Sequence, residues 1–241
     1  MSSDDCGDYL DSRCDEYASI LRQCLAPDLR HFIAFFSDTR RLRVMAQMLQ
    51  RHLTGLAPGR VLNIGCGPFA TEYFVRCLHA HGIVSFDYTA GFAPAYAALK
   101  ARGHLGNTCF MIADALTVEF RPQSFCAIIM HDILYEPALD AARLIARFDG
   151  SLRPGGLVFL SVQDMRTRWI WRLAGRERAY KRYELPAVQA LLRAQGYEVL
   201  ECRPSSLETR GRLNQTFRKL LWHVFGLANQ HAIIARKPVH G

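Results

Sequence analysis

Five short apolar runs alternate with stretches long enough for amphipathic helices, and this alternation constrains the fold more than any other feature. The runs are VLNIG (61–65), IVSFD (83–87), CFMIAD (109–114), FCAIIMHD (125–132) and GLVFLSV (156–162). Between them lie TEYFVRCLHAHG, FAPAYAALKARG and EPALDAARLIARFDG, which read as helices. Strands that are apolar along their whole length are buried on both faces. Alternated with helices, they predict βαβ units and a mostly parallel, doubly wound sheet. The last third adds a helix, LPAVQALLRAQG, and two further strands, YEVLECRP and HAIIARKP, for seven in all.

Residues 1–55 have a different texture. ASILRQCL, HFIAFF and RLRVMAQMLQRHLTGL space their apolar residues three and four apart, as helices do. APG at 57–59 closes this region. We expect a helical cap over 1–55 that forms one unit with an α/β domain over 56–241. A chain of 241 residues, 50% hydrophobic and 22% charged, is the size and make-up of one globular domain. No apolar run nears the roughly 20 residues of a membrane span. The acidic start MSSDDCGDYLDSRCDE is unlike a signal peptide, so a cytoplasmic setting is expected. None of the eight cysteines has C-x-x-C spacing. They read as small buried hydrophobes, among them Cys109 and Cys126, in a reducing compartment. His81, His104, His223, His231 and His240 lack metal-ligand spacing, and no metal site is expected.

The glycine turn Asn63-Ile64-Gly65-Cys66-Gly67-Pro68 follows a strand and precedes a helix. Glycine there lets a ligand approach the backbone. Asp87 ends the second strand, where a carboxylate can accept both hydroxyls of an adenosine ribose. Asp114 ends the third, where an acid can accept from an adenine amino group. Polar groups at successive strand tips outline one crevice. Two cofactors suit it. Gly65-x-Gly67-x-x-Ala70 satisfies a dinucleotide string, but Pro68-Phe69 is bulky for a pyrophosphate. S-adenosylmethionine has no phosphate and tolerates a bulkier turn.

The chain resembles the class I S-adenosylmethionine-dependent methyltransferases over about residues 60–236. VLNIGCGP, IVSFDYT, FMIADAL, FCAIIMHDILYE and LRPGGLVFLSV match the family's motifs in order. The final strand pair matches its reversed hairpin, which implies an antiparallel last strand. The resemblance implies S-adenosylmethionine as cofactor, held by Asn63, Gly65, Cys66, Gly67, Asp87, Tyr88, Asp114, Ala115 and His131. It places His131 and Asp132 beside the transferred methyl, where an imidazole could take a proton from the acceptor. Asn63 stands where the family usually has Asp or Glu, and Phe69 where it has a third glycine. The strings IGCGP and FDYT also echo the small-amine N-methyltransferases that act on nicotinamide and phenylethanolamine. In this family N-terminal helices often close over the site, which draws attention to Tyr9, Tyr17, Phe35 and Phe36.

The net charge of +8 is local. Residues 1–165 hold 15 Lys and Arg against 17 Asp and Glu, and residues 166–241 hold 15 against 5. The excess lies in RTRWIWRLAGRERAYKR (166–182) and around Arg210, Arg212, Arg218 and Lys219. Both segments leave carboxyl ends of strands, on the rim of the crevice. Arg166, Arg168 and Arg172, interleaved with Trp169 and Trp171, suit an anionic or aromatic substrate, nucleobases or a membrane surface. The expected function is methyl transfer to O or N of a small or medium-sized metabolite or natural product. A lipid or quinone acceptor with peripheral membrane contact stays open. A nucleic-acid acceptor is disfavoured, because MHDILY replaces the (D/N)-P-P-(F/Y) string. A NAD-dependent oxidoreductase and an inactive binding protein are the readings from other classes. Oligomeric state is not readable.

Overall fold

The computed structural model describes residues 3–35, 39–168, 172, 180–206 and 227–239. Phe36, Trp169, Trp171, Arg210, Arg212, Arg218, Lys219, His223 and His240 lie outside the described residues, as do the side chains of Tyr9 and Phe35.

Seven strands form one sheet: β1 (Arg60–Ile64), β2 (Gly82–Asp87), β3 (Thr108–Ile112), β4 (Phe125–Met130), β5 (Leu152–Gln163), β6 (Glu198–Ser206) and β7 (Gln230–Arg236). Their order is β3-β2-β1-β4-β5-β7-β6. The first five pair in parallel. β7 runs antiparallel to both β5 and β6. The strand order reverses between β1 and β4, so a crevice opens outside their carboxyl ends.

The period of two along each strand sorts the core into two layers. Val61, Ile83, Ala127, Ile129, Leu157, Phe159 and Ile234 face one side, in one cluster with Tyr17, Leu21, Leu42, Met45, Met48 and Leu49. Those last residues come from helices α1 (Ser3–Cys24) and α3 (Thr39–Leu53), which follow one another with a short α2 (His31–Phe35) between. Leu42, Met45, Leu49 and Leu53 give α3 its buried stripe. On the other side Leu62, Ile64, Ile128, Met130, Val158, Leu160 and Ile233 meet Leu144, Ile145 and Phe148 of α6 (Ala141–Asp149). Val188 and Leu192 of α7 (Leu185–Ala194) join them. Asp140 caps α6 by accepting from the Arg143 amide, 3.2 Å away.

Three sequence expectations change. TEYFVRCLHAHG is not one helix. α4 (Ala70–Phe74) stops at Val75, whose backbone (φ −95°, ψ 82°) is not helical, and a tighter turn follows over Arg76–Ala80. His79 Nε2 meets the Glu72 carbonyl at 2.9 Å, taking the place of the helical amide that the break removes. Second, β5 begins at Leu152, ahead of the expected glycine turn, through a bulge against β4. Third, Cys109 is exposed, because β3 is the edge strand; Cys126 and Cys66 are buried. α5 (Ala93–Ala101) forms as expected.

At the end of β5 the Asp164 carboxylate is fully buried. His231 Nε2 lies 3.0 Å from Oδ2, and Arg166 reaches it with Nη2 at 2.8 Å and Nε at 3.1 Å. Burial pushes this carboxyl up, but the hydrogen bonds from His231 and Arg166 outweigh it and hold its pKa at about 2. A depressed carboxylate stabilises the fold above its unfolded pKa of about 3.9 and loses that contribution as pH falls toward the folded value. Asp164→Ala should cost about 3 kcal/mol at pH 7, because it strands the buried His231. Urea unfolding should show the gap to wild type narrowing as pH drops from about 4 to 2.

Candidate active site

The turn after β1 is held from three directions. Gly65 and Gly67 have φ of +64° and +53°, a region that favours glycine. The Cys66 amide donates to the Phe86 carbonyl at 3.0 Å, and the Gly67 amide to Asp87 Oδ2 at 3.0 Å. From the N-terminal layer the Tyr17 hydroxyl donates to the Pro68 carbonyl at 2.7 Å. Tyr17 is fully buried, so the aromatic flagged in the first helix acts as a strut under the turn. Phe69, where a third glycine was expected, is left-handed (φ 69°) and starts α4. Its ring is buried against Tyr96 and Phe110, at 5.5 and 5.0 Å between centroids, which accommodates the bulk.

Asp87 is buried at the tip of β2, and Oδ1 accepts from the Thr89 amide at 2.9 Å. Each carboxylate oxygen keeps a further lone pair for a ligand hydroxyl. Tyr88, next to it, is 76% exposed and not packed into the domain. Asp114 is exposed just beyond β3 and folds back on the Leu116 amide at 2.8 Å, with Ala115 in that turn.

Asn63 points its amide into the core. Nδ2 donates to Glu72 Oε1 at 2.6 Å, and the Ser85 hydroxyl donates to the same oxygen. Glu72 is fully buried, and burial pushes its carboxyl up.

The exit from β4 carries the second half of the site. Asp132 leaves the strand in a left-handed conformation (φ 54°). Its amide donates to Ser161 Oγ at 2.8 Å. Oδ2 pairs with Arg41 Nη1 at 2.7 Å, and Oδ1 accepts from Gln230 Nε2. Burial pushes Asp132 up, but Arg41 leads the groups that outweigh it and keep the carboxylate ionised. His131 is nearly enclosed, with its ring 6.1 Å from that of Phe159. Its Nε2 has no hydrogen-bond partner among the described residues and lies 3.8 Å from Asp132 Oδ2. Burial pushes its pKa down; Asp132 opposes this and Arg41 reinforces it. A neutral imidazole with an unengaged nitrogen can accept a proton.

The structure therefore brings Asn63, Gly65, Cys66, Gly67, Asp87, His131 and Asp132 around one group of strand ends. Tyr88, Asp114 and Ala115 lie at the exposed outer tips of β2 and β3. Arg41, Glu72, Ser161 and Gln230 were not singled out from sequence. They sit on distant elements and carry no spacing that could flag them. Of the basic rim, Arg166 is bound to Asp164, while Arg168 and Arg172 are exposed.

No family model and no curated protein matches the sequence. Solved structures do match the fold. A 1,6-didemethyltoxoflavin N1-methyltransferase from Burkholderia thailandensis, solved with bound 1,6-didemethyltoxoflavin and S-adenosylhomocysteine, is 18% identical. The match covers 93% of this chain and 90% of that one, with a TM-score of 0.62. Geranyl diphosphate C-methyltransferase from Streptomyces coelicolor is 13% identical over 80% of this chain and 78% of that one, at a TM-score of 0.60. The [4+2]-cyclase SpnF is 21% identical over 81% and 80%, at 0.59. This chain has the class I S-adenosylmethionine-dependent methyltransferase fold. With a cyclase among the matches, the fold alone does not fix the chemistry.

The two turn glycines differ in a measurable way. A Cβ on Gly65 would lie 2.3 Å from Ile133 Cγ2, whereas one on Gly67 would meet nothing within 4 Å. Gly67→Ala should cost only the left-handed penalty of about 1 kcal/mol. Gly65→Ala should cost clearly more by chemical denaturation, and equal losses would mean that the contact with Ile133 does not constrain the turn.

Proposed function

We propose that this protein is an S-adenosylmethionine-dependent methyltransferase that methylates O or N of a small or medium-sized molecule of metabolite or natural-product type. The observation that carries this reading is the pairing across one crevice of two features: the Gly67 amide on Asp87, and the buried His131 with an unengaged Nε2. The first suits an adenosine ribose. The second suits a proton leaving an acceptor.

The residues present fit the cofactor. Asp87 offers acceptors to the ribose, Gly67 borders open space beside it, and Asn63 and Cys66 complete the turn. Tyr88, Asp114 and Ala115 would flank the adenine. When bound, the cofactor supplies an electrophilic methyl group. His131 takes the acceptor's proton on Nε2 where the nucleophile carries one. Asp132 is engaged by Arg41, Gln230 and Ser161, so its part is to hold the strand exit and steady His131 electrostatically. A cytoplasmic setting accords with the free thiols of the described cysteines. Arg168 and Arg172 favour an acceptor with anionic or aromatic character.

Calorimetry should show S-adenosylhomocysteine binding and no binding of NAD; the reverse would replace this reading with the oxidoreductase. His131→Gln should lower turnover about 100-fold or more while leaving S-adenosylhomocysteine affinity within a few fold. Unchanged turnover removes the base role. The protonated imidazole is the inactive form, and its folded pKa lies below the ordinary value of about 6.5. Activity should therefore stay level through neutral pH and fall only on the acid side of that value. A profile still rising above pH 7 would contradict this assignment.

A further inference from the structure

The two oxygens of the Asp132 carboxylate keep different company. Oδ1 accepts from Gln230 Nε2 of β7. The backbone beside it is tied as well, since the Asp132 amide donates to Ser161 Oγ of β5 at 2.8 Å. Neither tie involves the N-terminal helices. Oδ2 is the oxygen that faces two basic groups. Arg41 Nη1 of α3 reaches it at 2.7 Å, while His131 Nε2 stands 3.8 Å away, beyond hydrogen-bond distance. Arg41 is itself buried, with a side chain only 7% exposed. Arginine is rarely enclosed to this degree, and taking a guanidinium out of water is costly. An apolar residue at this position would avoid that cost. The strand exit keeps its ties to β5 and β7 without Arg41, so holding the exit does not by itself explain a buried cation there.

We propose that Arg41 is a positioning residue: by claiming Oδ2 it holds the Asp132 carboxylate off His131 Nε2 and leaves that nitrogen unengaged. The inference rests on the reading of His131 as proton acceptor and names the group that keeps it ready. Without a cation on Oδ2, a closure of about 1 Å would bring the carboxylate and the imidazole into a charge-assisted hydrogen bond. That bond would occupy Nε2 and favour the protonated ring. The groups around His131 act in known directions. Burial lowers its pKa most; Asp132 from the same strand exit opposes this, and Arg41 from α3 adds to it. Phe159 of β5, whose ring packs near the imidazole, is uncharged. Tyr135, further along the exit, feels the charge of Asp132, but burial pushes its hydroxyl up and keeps it neutral. Removing Arg41 therefore drives the His131 pKa upward on two counts: the cation is gone, and Asp132 is released toward the ring.

The test follows the His131 ring in the full chain by NMR titration with isotope-labelled histidine. Its signal is the one missing from His131→Gln. Arg41→Met should raise the pKa of this ring by at least about half a pH unit. A smaller rise, or a fall, overturns the inference, and is what a role in packing alone predicts. The Arg41→Met, Asp132→Asn double variant should undo more than about half of that rise, because the carboxylate that Arg41 restrained is no longer charged. A rise that persists in the double variant overturns the inference as well, since Arg41 would then act on the ring directly. Arg41→Leu is the second variant should the methionine protein not fold, and the double variant spares the fold an unpaired buried charge. The readout needs no substrate, so its failure is separate from that of the base role. In turnover assays the acid limb of the Arg41→Met profile should move up with the ring. A limb that stays while the ring moves removes the base role of His131 and upholds the grip of Arg41 on Asp132. A ring that does not move sinks this inference alone.

Discussion

Gly65 lies so close to Ile133 that no side chain fits between them, and the site depends on this approach. It brings the turn after β1 against the chain leaving β4 at the point where the strand order reverses. Parallel strands that diverge to opposite sides leave an opening there, and the two exits form its walls. With a Cβ at 65, either the turn or the β4 exit must move. The Gly67–Asp87 hydrogen bond and the position of His131 would then shift relative to each other.

Around that contact the molecule desolvates several carboxyl groups. Glu72 is buried on α4, the half-buried Asp132 lies against the buried Arg41, and Asp164 is buried with His231 at the end of β5. Each of these carboxyls is desolvated, and each is compensated differently. Asp132 and Asp164 keep their charge because cations and hydrogen-bond donors face them. Glu72 has donors but no cation among the described residues, and its affinity for a proton rises. The difference follows from position: Arg41 of α3 reaches Asp132, and Arg166, two residues on, reaches Asp164. Glu72 lies on α4 against the sheet, where among the described residues only the Asn63 and Ser85 side chains reach its carboxyl.

The N-terminal helices do more than cover the sheet. Tyr17 holds the Pro68 carbonyl from α1, and Arg41 holds Asp132 from α3. The cap thus touches both walls of the crevice through hydrogen bonds as well as through apolar packing. A change in either helix would be felt at the turn and at the β4 exit together.

The strands, their order of appearance, the glycine turn and the acid ending β2 were all legible in the sequence, because they follow from local rules. Burial on both faces makes strands apolar throughout, and a left-handed turn favours glycine. The edge position of β3 and the break at Val75 were not legible. The first is a property of strand order, and the second is stabilised by His79 satisfying a carbonyl that a continuous helix would have satisfied itself. Nor could the sequence show that Asn63 meets Glu72, that Asp132 meets Arg41, or that His131 is left with an unengaged nitrogen. Those pairings join residues 9 and 91 positions apart, or depend on enclosure from several elements at once. By itself the sequence determined which backbone could form and where a ligand could approach it. Only the tertiary structure decided which polar groups are already satisfied and which remain for a ligand, because burial and hydrogen-bond partnership exist only once distant segments have packed.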